Sequence, residues 1–176
     1  MQIPKTEANP TTLRCGLVLY PSQEQAIDKI LVSLMEKIPA QYILLVDSSG
    51  QVITLCGKRE QADPVALGAL IAGDLAASQE MANLTGELQH YQMILREGSQ
   101  VNTWIIDAGP HLVLMFKVSS TVPLGWTRLV IRRSAELIAQ VAEVPTNEET
   151  ASPGVEIDEG DFSDQINKSL DELWRL

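Results

Sequence analysis

Cysteine and histidine, the side chains that most often bind metals or act in catalysis, are scarce in this chain. It contains two of each: Cys15 and Cys56, and His90 and His111. Two cysteines so far apart in sequence indicate neither a metal site nor a disulfide framework, and both lie in apolar, strand-like runs, which predicts buried, inert thiols. Neither histidine has a carboxylate or cysteine at a metal-binding spacing, so we predict no metal site and no acid/base site.

The sequence also lacks the motifs that bind nucleotide phosphates. It has no GxxxxGK(S/T) loop and no dinucleotide fingerprint. The segment 47–50, Asp-Ser-Ser-Gly, places serines beside an acid, but these are the residues that tight turns prefer, so we interpret it as a turn. We therefore expect no cofactor, no small-molecule substrate and no enzymatic activity.

Long apolar runs are missing as well. The longest, at 65–73, ends at Asp74 and is well short of the roughly 20 residues that cross a bilayer. Residues 1–12 are polar and do not resemble a signal peptide. We therefore expect a cytoplasmic protein that does not bind membranes.

The net charge of −10 is unevenly distributed along the sequence. Residues 1–142 contain 13 acidic and 11 basic side chains, whereas residues 143–176 contain 10 acidic and 2 basic ones. Because the chain has a pI near 4.6 and no basic patch, we do not expect it to bind nucleic acid. Residues 145–162 are rich in Pro, Thr, Ser, Glu and Asp, which predicts a flexible acidic linker.

Residues 163–176 regain a helical pattern after this linker. One face of the predicted helix would carry Ile166, Leu170, Leu173 and Trp174. A helix of about three turns is marginal alone in water, so it needs a surface to dock on. That surface can belong to the same chain or to a partner.

The body of the sequence alternates between strand and helix patterns. Residues 1–21 form a predicted N-terminal arm, in which the apolar run 13–20 predicts one strand ended by Pro21. Ser22 and Gln25 have the spacing of a capping box and open a predicted helix that extends to about residue 38. Strands are predicted at 41–47, 51–57, 88–97, 101–107 and 111–118, and a last helix at 126–144 with Leu129, Val130, Leu137, Ile138 and Val141 on its core side. The connections between strands are short enough to require antiparallel neighbours.

The stretch 63–86 predicts one long helix with both ends marked. Asp63 is suited to the N-cap, Pro64 to the first helical position, and Gly86 to the left-handed stop. Apolar and small residues occupy nearly every face, which predicts cover on two sides. Two glycines inside a helix cost about 1 kcal/mol each, so another backbone is expected to approach closely. One side can lie on the protein's own sheet and the other on a second copy; a wholly intramolecular helix remains the alternative.

The last helix carries a group of three arginines, Arg128, Arg132 and Arg133. The first two are four residues apart and share a helix face. They form either a solvated face or a contact for acidic groups, which a partner or the chain's own acidic segment can supply. In the second case the acidic segment would fold back and compete with the partner, and this attraction would weaken as salt rises.

With these elements in place, the sequence resembles the Roadblock/dynein light chain-type family. The stretches that carry the resemblance are YILLVDSSGQVITLCG (42–57), ALGALIAGDLAASQEMANLTGE (66–87), YQMILREGSQVNTWII (91–106), LVLMF (112–116) and PLGWTRLVIRRSAELI (123–138). The resemblance covers residues 22–144 as one domain and excludes the N-terminal arm, the linker and the segment 163–176. It is a pattern over the whole domain, so it indicates fold more strongly than activity.

The resemblance implies an α+β fold, a three-layer α/β/α sandwich with a five-stranded antiparallel sheet. Two helices would lie on one face of the sheet and the long helix on the other. It also implies a homodimer in which the long helices pack together and the 88–97 strands pair edge to edge. The interface residues would be Ala66, Ala69, Leu70, Gly73, Ala77, Met81, His90 and Gln92.

The functional expectation follows from the bacterial branch of this family, whose members accompany Ras-like small GTPases. The first hypothesis is a homodimeric, non-enzymatic regulatory platform that binds such a GTPase and modulates its nucleotide cycle or localisation. The alternative is a structural adaptor that binds another protein or a peptide, with no GTPase involved. The partner-binding candidates are Arg128, Arg132, Arg133, Ile166, Leu170, Leu173 and Trp174.

Overall fold

A computed structural model describes residues 9–57, 63–86 and 93–143 of the chain. Its elements are β1 (Thr11–Thr12), β2 (Val18–Leu19), α1 (Pro21–Lys37), β3 (Ala40–Asp47), β4 (Val52–Gly57), α2 (Pro64–Thr85), β5 (Met93–Arg96), β6 (Val101–Asp107), β7 (Leu112–Ser119) and α3 (Leu124–Glu143). None of the helices among these residues is long and apolar enough to cross a membrane.

The five longer strands form one antiparallel sheet in the order β4-β3-β7-β6-β5. Alternate residues of each strand point to opposite faces, and each face has its own core. Ile43 and Leu45 of β3 pack with α1 and α3, whereas Tyr42, Leu44 and Val46 pack with α2. The predicted three-layer α+β sandwich is therefore confirmed.

The long helix α2 begins and ends where the sequence predicts. The Asp63 carboxylate accepts a hydrogen bond from the backbone N–H of Val65 at 3.0 Å, and Pro64 is the first helical residue. Gly86 has a φ of 75° and ends the helix in the left-handed conformation. The inward side of α2 rests on the sheet through Gly68, Ile71, Ala72 and Leu75.

Close backbone approach explains one of the two helix glycines. A Cβ on Gly68 would lie 2.6 Å from the carbonyl oxygen of Gly50 in the β3–β4 turn. Gly50 itself has a φ of 86°, and a Cβ there would lie 2.7 Å from Cα of Ala69. A Cβ on Gly73, in contrast, would meet nothing within 4 Å. The predicted backbone contact therefore occurs within the chain at Gly68, and Gly73 remains open.

The prediction of a single strand at 13–20 is wrong. The segment instead completes a small hairpin, in which Thr11 and Thr12 of β1 pair with Leu19 and Val18 of β2. Gly16 has a φ of 91° and lies in the turn between them. Leu13 and Leu19 are buried in the core on the α1/α3 side of the sheet. The run is apolar because Leu13, before the turn, and Leu19, in β2, both reach the core, and not because it forms one continuous strand.

The cap of α1 is also different from the one predicted. The N-cap is Tyr20, whose backbone N–H donates to Oε1 of Gln23 at 2.9 Å, and Pro21 is the first helical residue. Gln23 is buried, and its Nε2 donates to the backbone carbonyl of Val141 at 2.9 Å, which joins α1 to α3. Gln23 therefore takes the role that the spacing assigned to Gln25.

Four further residues lie in surroundings other than those predicted. Leu129 is 50% exposed, so it does not belong to the core side of α3, whereas Val130, Leu137, Ile138 and Val141 are buried as expected. His111 is exposed and precedes β7 instead of lying within it. Cys15 lies in the β1–β2 turn, and both cysteines are half-buried rather than buried.

Candidate interaction surfaces

The residues that could suggest catalysis have structural roles where the structure describes them. Asp47 is buried, and its Oδ1 accepts hydrogen bonds from the backbone N–H of Ser49 (2.9 Å) and of Gln51 (2.8 Å) and from the Ser49 hydroxyl (2.6 Å). Its Oδ2 accepts from the backbone N–H of Cys15 at 3.1 Å. Both carboxylate oxygens are therefore occupied in holding the turn and the N-terminal hairpin.

Cys56 and the acidic groups give no sign of a reactive or metal-binding centre. Burial raises the pKa of the Cys56 thiol, and the negative charge of Asp28 raises it further, so the thiol stays protonated and poorly nucleophilic near neutral pH. Within the ranges 9–57, 63–86 and 93–143, no group of three or more His, Cys, Asp or Glu residues could hold a metal ion.

An open groove of about 700 Å³ lies beside the β6–β7 turn and α3. Its lining contains carboxylates and amides but no histidine, cysteine or hydroxyl side chain. The lining residues are Gln79, Asp107, Gly109, Pro110, Glu136, Ala139, Gln140 and Glu143. Such a set contains neither a hydroxyl or thiol nucleophile nor a histidine to serve as its base.

The outward side of α2 carries four of the nine large hydrophobic residues that are exposed in the described chain. We call it the α2 outer face. Its large side chains are highly exposed: Leu84 at 80%, Leu70 at 71%, Val65 at 66% and Met81 at 59%. Small exposed residues lie between them, so the surface is apolar and another helix could approach its backbone closely. These small residues are Ala66, Ala69, Gly73, Ala76 and Ala77.

All six interface residues predicted on α2 are exposed on this helix. They are Ala66, Ala69, Leu70, Gly73, Ala77 and Met81. The other two predicted interface residues, His90 and Gln92, lie outside the described residues. Within the described part of the chain, β5 pairs only with β6, so β5 is an edge strand of the sheet.

Polar contacts attach the flank of α2 to the β5 side of the sheet. Asp74 forms a 2.8 Å ion pair with Arg96 of β5. The side-chain amide of Gln79 donates to Oδ2 of Asp107, at the end of β6, at 3.2 Å. These contacts fix the helix on the sheet while its outer face remains uncovered.

A second exposed surface lies on the first half of α3. Arg128, Arg132 and Arg133 are all exposed, as the sequence predicts for a solvated or partner-binding face. Arg132 and Arg133 both contact Glu136, each at 3.3 Å. The other predicted partner-binding residues, Ile166, Leu170, Leu173 and Trp174, lie outside the described residues.

The apolar component of this second surface was not predicted from the sequence. Trp126 is 41% exposed and Leu129 is 50% exposed. Helical periodicity predicts that Leu129 is buried. The signal for its exposure is the charge around it: Arg128 precedes it, and Arg132 and Arg133 lie next to it on the helix surface, three and four residues later. An exposed tryptophan among arginines has the composition of a protein-binding surface, and the exposed leucine adds apolar area beside it.

Comparison with known proteins gives matches among solved structures alone. No family model matches the chain, and no curated protein does. The gliding protein MglB from Thermus thermophilus is 29% identical, with 77% of this chain and 98% of that chain covered and a TM-score of 0.65. MglB from Myxococcus xanthus is 27% identical, with 71% and 93% covered and the same TM-score. A Roadblock/LC7 domain from Streptomyces avermitilis has the same fold, at 13% identity, 64% and 94% coverage and a TM-score of 0.58.

Proposed function

We propose that the chain, whose fold and sequence are similar to those of the roadblock-type family, is a homodimeric, non-enzymatic regulatory platform that binds a Ras-like small GTPase. In this proposal it modulates the nucleotide cycle or the localisation of the GTPase, in the cytoplasm. The observation that carries the proposal is the uncovered α2 outer face on a fold that matches MglB over 98% of the length of that protein.

The dimer in this proposal forms through α2. A contiguous apolar surface on a monomer marks a site of association, and Leu70 and Met81 would be buried against the same surface of a second copy. A two-fold interface uses the same patch on both subunits, and the small residues of the α2 outer face allow two such helices to approach each other. Gly73 has open space in front of it and would let the second backbone approach. The β5 edge strands would pair across the same two-fold axis.

Regulation in this proposal does not require a catalytic group from the platform. Small GTPases change activity when their switch loops are ordered or released, so a surface that holds one loop conformation shifts the cycle. If the platform does contribute a cation to the transition state, the exposed Arg128, Arg132 and Arg133 are the candidates.

The experiment that tests the proposal measures GTP hydrolysis and nucleotide exchange by the Ras-like GTPases of the source organism, with and without the purified full chain. The proposal predicts binding to at least one GTPase and a changed rate of one reaction. A Leu70→Asp variant would lose the effect because the platform would dissociate, whereas Val32→Asp, which alters an exposed apolar residue of α1, would keep it. Absence of binding in every nucleotide state would contradict the proposal.

The alternative is a structural adaptor that binds another protein or a peptide and no GTPase. The exposure of Trp126 and Leu129 among arginines favours it, because this surface suits an acidic partner with an apolar anchor. Capture of a partner by the dimer that depends on residues 145–176, without any change in GTPase kinetics, would favour the adaptor.

A further inference from the structure

The surface on the first half of α3 combines two apolar side chains with three cations. We call it the α3 stripe: Trp126, Arg128, Leu129, Arg132 and Arg133. Trp126 lies three residues before Leu129, and Leu129 lies three and four residues before the last two arginines, so these four are neighbours on the helix surface. Arg128 lies four residues before Arg132 and extends the stripe on that side.

The α3 stripe retains positive charge after its own ion pairs are counted. Arg132 and Arg133 share the single carboxylate of Glu136, at 3.3 Å each. Arg128 has no ion-pair partner in the described part of the chain. The arginines of these pairs are half or more exposed, and exposed ion pairs of this kind are weak and exchange readily for others. The stripe is consequently prepared to bind a segment that is acidic and has an apolar face.

The chain itself contains such a segment. Residues 144–176 include nine acidic and two basic side chains. Within them, 163–176 place Ile166, Leu170, Leu173 and Trp174 at helical spacing. This stretch contains three acidic and two basic side chains, and the other six acidic side chains lie in residues 144–162, which lead into it. Both components of the stripe thus have a counterpart: carboxylates for the arginines, and an apolar face for Trp126 and Leu129.

The length of the connection allows the same chain to supply the segment. α3 ends at Glu143, and Leu129 lies about 21 Å back along the helix at 1.5 Å per residue. Residues 144–162 connect Glu143 to the segment, and a flexible chain of that length has a root-mean-square span of about 24 Å. The span matches the distance, which gives the segment an effective concentration in the millimolar range at the stripe.

We propose that residues 163–176 dock on the α3 stripe of their own chain and cover it until a partner displaces them. The apolar face lies on Trp126 and Leu129, and the acidic side chains approach Arg128, Arg132 and Arg133. The contact makes the stripe available only to partners that bind it more tightly than the chain's own segment does. The docking depends on the charges of the α3 stripe and of residues 144–176 and on the length of the connection, so it does not depend on whether the partner is a GTPase or another protein.

Hydrogen exchange of the full chain, measured by mass spectrometry at low salt, tests the docking. An affinity near 0.1 mM at an effective concentration near 1 mM gives about tenfold slower exchange of residues 163–176 than in a variant that cannot dock. Arg128→Glu with Arg133→Glu should abolish this protection, and so should Leu173→Asp. Lys29→Glu, a charge reversal at an exposed position of α1, should leave it unchanged.

The same measurement distinguishes the occupants of the stripe. Protection that is the same in the wild type and in the monomeric Leu70→Asp variant, and that falls as salt rises, supports docking within one chain. Protection that disappears in Leu70→Asp would assign the segment to a second copy and overturn the proposal. Equal exchange in the wild type and in the arginine and Leu173 variants would also overturn it. Unchanged protection of the buried α3 core in every variant confirms that the fold is intact.

Discussion

At the scale of single residues, the Asp47 carboxylate joins two segments that are far apart in the sequence. Its carboxylate holds the β3–β4 turn through Ser49 and Gln51, and it holds the N-terminal hairpin through Cys15. The turn is predictable because aspartate, serine and glycine favour it locally. The bond to Cys15 spans 32 positions of sequence, and no local pattern indicates it.

Replacement of this carboxylate should therefore cost more stability than replacement of a simple helix cap. Asp47→Ala leaves three backbone N–H groups and one hydroxyl without their acceptor, and we expect a loss of about 3 kcal/mol in the free energy of unfolding. Asp63→Ala removes one exposed cap bond and should cost about 1 kcal/mol. Urea unfolding of the two variants makes the comparison; equal losses would contradict the role assigned to Asp47.

The ionisation of Asp47 should also make stability depend on pH. Burial opposes the charge, but the hydrogen bonds from Ser49, Gln51 and Cys15 outweigh it, so the pKa of Asp47 lies below its ordinary value of 3.8. The stabilisation is therefore complete above pH 3.8 and is lost as the pH falls from there through the folded-state pKa. Between pH 6 and pH 3, the wild type should lose more unfolding free energy than Asp47→Asn does. Parallel curves would contradict this assignment.

At the scale of elements, α2 shows which features a sequence pattern can predict. Its caps follow from Asp63, Pro64 and Gly86, because capping depends on neighbouring residues alone. The N-terminal hairpin could not be predicted in this way, since the run 13–20 is nearly all apolar and its turn depends on the positive φ of Gly16. Leu129 was misassigned for a related reason: periodicity counts a leucine as core, whereas its position on α3 exposes it.

The contrast between a closely packed helix glycine and an open one gives an element-scale prediction. Gly68→Ala would place a Cβ 2.6 Å from the Gly50 carbonyl oxygen, so α2 must shift from the β3–β4 turn, and we expect a destabilisation of about 2 kcal/mol. Gly125→Ala, on an exposed position of α3 with nothing within 4 Å, should be neutral or slightly stabilising. Thermal unfolding compares the two. A neutral Gly68→Ala would contradict the close approach.

At the scale of the whole molecule, the sheet has a helix pair on one face and a single helix on the other. The α1/α3 side buries the larger core, whereas α2 covers the other side with four buried residues and leaves its outer face uncovered. The family resemblance predicted this layering because it extends over the whole domain. The contacts with a partner molecule could not be predicted from one chain, because they depend on residues of the other molecule.

The mass of the full chain in solution, measured by light scattering, tests most directly the claim that the α2 outer face builds the platform. We expect twice the 19.3 kDa of one chain for the wild type and for Val32→Asp, and 19.3 kDa for Leu70→Asp with its fold intact. The charge at position 70 would have to be buried without a partner in the dimer, which costs several kcal/mol. A monomeric wild type, or a Leu70→Asp variant that remains a dimer, would contradict the account.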